Sequence, residues 1–303
     1  MTAEIAVLNK EAVALAADST VTISGRKAYH TINKLFALSQ YQPVGIMIYG
    51  SAEIGGVPWE TLIKLFRAHL CNTKYDTLVE YKSKFIEFIS SEIHDFDENE
   101  PKEHLIEFAE DYLELLADEI DTKVEKYLEV NERIEDKKIS GILRQVVKSH
   151  HEKWKNKKEL PIFSKKLIET IKKEYEKNIE EVVTLRLENH KISKLYLGKI
   201  VETCFKVYFS KSLVTSGLVF SGFGEKEIFP CAVSCNIESV IFNTVKYEEN
   251  ISKIENKPGK DALIIPYAQT DVVATFMEGI SQKMIRTVLD ELSDKLTKYS
   301  SIL

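Results

Sequence analysis

The chain opens with an apolar-rich run from Thr2 to Leu8, a polar stretch Asn9-Lys10-Glu11, and a second apolar run from Ala12 to Asp18. Two runs of similar length around a short polar turn predict a β-hairpin. With the turn centred on Lys10, cross-strand partners sum to 20, which sets Thr2 opposite Asp18. Leu35 to Leu38 and Val44 to Tyr49 flank the turn Ser39-Gln40-Tyr41-Gln42-Pro43 and predict another strand pair, which Gly50-Ser51-Ala52 ends. After Gly55-Gly56 the period changes. Leu62, Ile63, Phe66 and Leu70 fall on one helical face, with Pro58 suited to a first turn, and Leu78, Tyr81, Phe85 and Phe88 mark a second helix. Helical periodicity continues to about residue 210. Strand patterns return at Leu213 to Phe220, Glu227 to Val233 and near Ser239 to Val245, and Asn256-Lys257-Pro258-Gly259-Lys260 is a strong turn signal. Phe276, Ile280, Met284, Val288 and Leu292, each four apart, predict one or two closing amphipathic helices. This order predicts an α+β chain: a sheet-and-helix domain built from residues 1–95 and 210–303, interrupted by a helical insertion at 96–209.

Composition agrees with long regular elements, since 303 residues include only 12 Gly and 7 Pro. Lys and Arg number 41 against 47 Asp and Glu, a formal net charge of -6, so no global positive field recruits nucleic acid or anionic lipid. Residues 121–160 hold 19 charged side chains in 40, with signs interspersed, the mark of solvated amphipathic helices or of a dedicated binding surface. Cys71, Cys204, Cys231 and Cys235 make neither a disulfide framework nor a paired Cys-x-x-Cys zinc spacing. Cys231 and Cys235 read as small buried hydrophobes rather than ligands. No apolar run has membrane-spanning length and the first residues lack a signal peptide, so the expected compartment is the cytoplasm.

Candidate chemistry rests on Thr2, Asp18 and Lys34. Met1 precedes a small residue, which permits its removal and leaves Thr2 with a free α-amino group. Such an amine, with a pKa near about 8, accepts a proton from the neighbouring hydroxyl at neutral pH. The cation of Lys34 beside that pair lowers the pKa of amine and hydroxyl, and Asp18 compensates the Lys charge.

The run from Thr2 to Asp18, followed by Asn33-Lys34-Leu35-Phe36 and by Gly50-Ser51-Ala52-Glu53 leading into a helix, resembles the start of proteasome β-subunits and their bacterial proteasome-like relatives, members of the N-terminal nucleophile hydrolases. In that family a processed N-terminal Thr, an Asp sixteen positions later and a Lys sixteen beyond that form the catalytic core, the spacing of Thr2, Asp18 and Lys34. Leu218 to Pro230 looks like the family's later hairpin. The resemblance covers residues 1 to about 90 well and 213–285 loosely. It implies a four-layer αββα sandwich, hydrolysis of peptide amide bonds through a Thr2 acyl-enzyme, no metal or organic cofactor, self-assembly into a homo-oligomer, and a separate ATP-driven unfoldase as a possible partner.

Departures from the family pattern bear on the site. The family's oxyanion-hole glycine falls, three residues before Gly50, on Met47, whose backbone N–H would serve while its side chain narrows the pocket; Gly45 nearby restores some room. Thr270, in Gln269-Thr270-Asp271, takes the place of a supporting serine or is a plain helix N-cap. The chain ends soon after its last helix, before the family segment that carries a buttressing Asp and Ser. Two functions therefore stand: an active threonine hydrolase, or an inactive proteasome-fold scaffold that binds a partner through its helical insertion.

Overall fold

The computed structural model describes residues 3–19, 21–23, 27–29, 33–93, 100–187, 193–213, 215–255, 261–268 and 270–300. Its elements in chain order are β1 (Ala3–Asn9), β2 (Val13–Ala17), β3 (Val21–Ile23), β4 (Lys27–Tyr29), β5 (Leu35–Ala37), β6 (Val44–Gly50), β7 (Glu53–Ile54), β8 (Val57–Pro58), α1 (Trp59–Leu70) and α2 (Leu78–Glu92). They continue with α3 (Glu100–Leu128), α4 (Asp136–Trp154), α5 (Lys165–Arg186), α6 (Lys194–Ser210), β9 (Ser216–Gly222), β10 (Cys231–Ile241), β11 (Thr244–Lys253), β12 (Ala262–Ala268), α7 (Thr270–Glu278) and α8 (Gln282–Ser300). The fold is α+β with antiparallel sheets. Its contacts divide it into two units, one of residues 1–89, 214–237 and 249–303, the other of 90–213 and 238–248.

In the first unit the strand orders are β12-β1-β2 and β11-β10-β9-β6-β5, with the small pairs β3-β4 and β7-β8 beside them. Alternation along β1 turns Glu4, Ala6 and Leu8 inward. Ala6 and Leu8 meet Met47, Val219, Ala232, Ile254 and Tyr267 in one apolar core, to which both large sheets contribute. The first hairpin forms, but its register differs from the expected one: Glu4 pairs with Ala17 and Leu8 with Val13, so partners sum to 21 rather than 20, and the Asp18 N–H bonds to Ala3 O. The cause is local. Asn9 Oδ1 accepts from the N–H groups of Glu11 and Ala12, both at 2.8 Å, and Asn9 N–H donates to Ala12 O, which closes a two-residue turn at Lys10-Glu11 rather than one centred on Lys10.

Helix α1 starts just after Pro58, whose fixed φ suits a helix start and whose missing N–H costs nothing there. It buries Trp59, Leu62, Ile63, Phe66 and Leu70, and α2 buries Leu78, Tyr81, Phe85 and Ile89. In contrast, α7 buries nothing, and Val272, Phe276, Met277, Met284, Val288, Leu289 and Leu292 of α7 and α8 remain exposed. The helices part at Gly279, which sits at φ +73.

The second unit joins α3, α4, α5 and α6 around a core that includes Leu113, Ile120, Val146, Ile179, Val183 and Phe209. Residues 238–248, assigned by sequence pattern to the sheet domain, belong here, because the Phe242-Asn243 turn and its flanks carry buried groups with partners on the helices. The single strand expected near 239–245 is instead the end of β10, the Phe242-Asn243 turn with both residues at positive φ, and the start of β11. Lys246 is fully buried, 3.0 Å from Glu238 and 4.0 Å above the Tyr208 ring, and Glu238 also accepts from the Leu213 N–H at 2.7 Å. Burial pushes the Lys246 ammonium below its ordinary pKa, against the pull of Glu238. Replacing Lys246 with Met strands the Glu238 carboxylate, and we expect chemical denaturation to show a loss of about 3–5 kcal/mol; a change below about 1 kcal/mol would mean that the pair contributes little.

Candidate active site

Asp18 follows the last residue of β2 and is held by its N–H, which donates to Ala3 O at 3.2 Å. Lys34 immediately precedes β5, and its carbonyl accepts from the Ile48 N–H at 2.9 Å. These backbone anchors bring the two side chains together: Lys34 Nζ lies 2.5 Å from Asp18 Oδ1, with the Lys side chain only 6% exposed and the Asp side chain 33%. A lysine so little exposed needs a carboxylate to compensate it.

Beside this pair is a cavity of about 240 Å³ lined by Asn33, Lys34, the chain from Ile48 to Ala52, and Pro58, Trp59 and Glu60. Its walls are tied in place. Trp59 Nε1 donates to Ser216 Oγ at 3.2 Å, and Ser51 N–H donates to Thr215 O at 2.8 Å. Gly50 adopts φ +81, and a Cβ there would meet Thr215 O at 2.4 Å, so the bend at the end of β6 requires glycine. Tyr49 lies across Gly217, where a Cβ would fall 1.9 Å from its ring, stacks on Tyr267 at 6.1 Å and donates to Asn236 Oδ1 at 2.8 Å.

Hydrogen bonds along β6 alternate between its two neighbours. Ile48 N–H points to Lys34 and Ser51 N–H to Thr215, so even-numbered amides face β5 and odd-numbered ones face β9. Met47 therefore aims its N–H at Val219, its register partner on β9, and its side chain is fully buried in the sheet core. It does not line the cavity, and neither does Gly45. The Gly50 N–H is directed instead to the Lys34 side of the strand. Thr270 is exposed at the first residue of α7, away from the cavity lining. Thr2 lies outside the described residues.

Glu4 is a member of this cluster that the sequence pattern did not single out. It is 1% exposed, and neither carboxyl oxygen has a hydrogen-bond partner among the described residues. Burial pushes its carboxyl up to about 8; Lys34 pulls it down and Asp18 pushes it further up. Tyr49 is pushed up to about 12, first by burial and then by Glu4. The visible signal was parity: Glu4 shares the inward positions of β1 with Ala6 and Leu8, where an acid is out of place. Cys204, Cys231 and Cys235 are buried, with thiols pushed up to about 12 by burial, so they are poor nucleophiles and poor metal ligands. Among the described residues no three His, Cys, Asp or Glu side chains converge as metal ligands, and no helix is long and apolar enough to cross a membrane.

An acid with a raised folded pKa binds more protons folded than unfolded. Its contribution is fully present below about 4.5 and is lost as pH rises toward about 8. Glu4→Gln, which cannot ionise, should gain stability relative to the parent across that window, on the order of 1–3 kcal/mol. Denaturation at several pH values checks this, and a mutant-minus-parent difference that does not change with pH would contradict it.

No protein-family model, curated protein or solved structure matches the chain.

Proposed function

We propose that the chain is a proteasome-like threonine hydrolase that cleaves peptide amide bonds from its processed N-terminus. The observation that carries this reading is the ion pair between buried Lys34 and half-buried Asp18, formed by two residues sixteen positions apart and set against a cavity large enough for one side chain of a peptide. The two large sheets, with α2 packed on β9 through Phe85 and Phe220 and α7 against β1 and β12, support the proposed αββα sandwich of this family.

In the proposed reaction the Thr2 α-amine takes the proton of its own hydroxyl as Oγ attacks the carbonyl carbon. The oxygen that gains charge accepts from the Gly50 N–H, which replaces Met47 as the proposed oxyanion donor. The C–N bond then breaks, the α-ammonium returns the proton to the leaving amine, and water hydrolyses the Thr2 ester by the same proton route. Lys34 favours the developing negative charge, and Asp18 holds Lys34 in place. The exposed apolar faces of α7 and α8 support association of these chains into a homo-oligomer.

A peptide epoxyketone tests the proposal, because it needs both a hydroxyl and a free amine on one residue. Peptide mapping is expected to find the adduct on Thr2, Thr2→Ala to abolish it, and Lys34→Ala to slow it by about 10²-fold or more. An unmodified Thr2, or equal modification of Thr2→Ala, would instead support the alternative of an inactive scaffold.

A further inference from the structure

The inward face of β1 carries one acid into the cluster that holds Lys34 and Asp18. Among the described residues Glu4 has no hydrogen bond to stabilise an ionised carboxylate, and a buried carboxylate in that position is strongly disfavoured. The titratable groups around it come from four elements: Asp18 at the end of β2, Lys34 ahead of β5, Tyr49 on β6, and Tyr267, its register partner on β12. Both phenols stay neutral, since burial raises them further. Lys34 and Asp18 cancel. Among the described residues, the charge that changes in the cluster is therefore that of Glu4, which turns negative when its proton leaves.

We propose that Glu4 is a positioning residue of this site, a carboxylic acid whose retained proton keeps the Lys34–Asp18 cluster neutral and whose ionisation opposes negative charge building on the substrate oxygen. This rests on the hydrolase reading above. The role acts through the field at Lys34 and requires no contact with substrate. Ionised Glu4 draws on the same Lys34 cation that favours the oxyanion, and it adds a like charge to a site with little water to screen it. The site then works below the titration of Glu4 and weakens above it.

The test follows the rate of epoxyketone modification of Thr2 from about pH 6 to about pH 10 in the parent and in Glu4→Gln. The parent rate is expected to fall above about pH 8, and the Gln variant to lose that alkaline limb, so that its ratio of rates at about pH 9.5 and about pH 7 exceeds the parent's by about fivefold or more. A second measurement needs no activity and no variant fold: in protein labelled with ¹³C at glutamate carboxyls, one resonance should titrate near 8, far above the others. The same alkaline limb in both proteins, or every glutamate titrating in the ordinary carboxylate range, overturns the role of Glu4 while leaving the hydrolase reading intact. Absence of Thr2 modification at every pH overturns the hydrolase reading and this role with it.

Discussion

The ion pair between Lys34 and Asp18 is the constraint around which the first unit is arranged. A lysine with a side chain 6% exposed is held only where a carboxylate reaches it, and breaking such a pair by removing one member costs about 3–5 kcal/mol. Neither residue finds the other by local sequence. Asp18 is delivered by the β1–β2 ladder, and Lys34 by its backbone bond to Ile48 at the start of the β5–β6 ladder. The apolar contacts of Ala6, Met47, Val219 and Tyr267 hold those ladders in register, and the same strand that anchors Lys34 carries the cavity wall from Ile48 to Ala52.

Two buried acids, Glu238 and Glu4, are treated differently. In the helical unit, Glu238 accepts from Lys246 and from the Leu213 backbone, and Lys246 lies over an aromatic ring, so the charges are met by partners. That is the pattern of a group retained for structure. In the sheet unit, Glu4 is as deeply buried with neither oxygen bonded among the described residues, and Tyr49, which reaches Asn236, stands nearby. A fold selected for stability alone gains by placing an apolar residue at position 4, as it does at positions 6 and 8.

Much of this was legible in the chain and some was not, for identifiable reasons. The hairpins at residues 3–17 and 35–50, the start of α1 after Pro58 and the buried faces of α1 and α2 follow from alternation, helical spacing and turn residues. The Asp18–Lys34 pairing agrees with the sixteen-residue spacing. The register of the first hairpin was off by one because the Asn9 side chain, not the centre of the polar stretch, selects the turn. The β10–β11 turn was hidden because Phe242 and Asn243 take positive φ without a glycine to announce them. Met47 was misplaced because which amides face a cavity depends on the hydrogen-bond parity of β6, which position along the sequence does not reveal until the strand's neighbours are known. Glu4 could have been found from parity alone.

The account requires a free α-amine on Thr2, since the hydroxyl has no other base assigned to it and Lys34 and Asp18 are occupied with one another. The most direct test is the N-terminal mass of the protein purified from cells. The account predicts a chain that begins at Thr2, with Met1 removed and the amine unmodified. A chain that retains Met1, or carries an acylated Thr2, would contradict it.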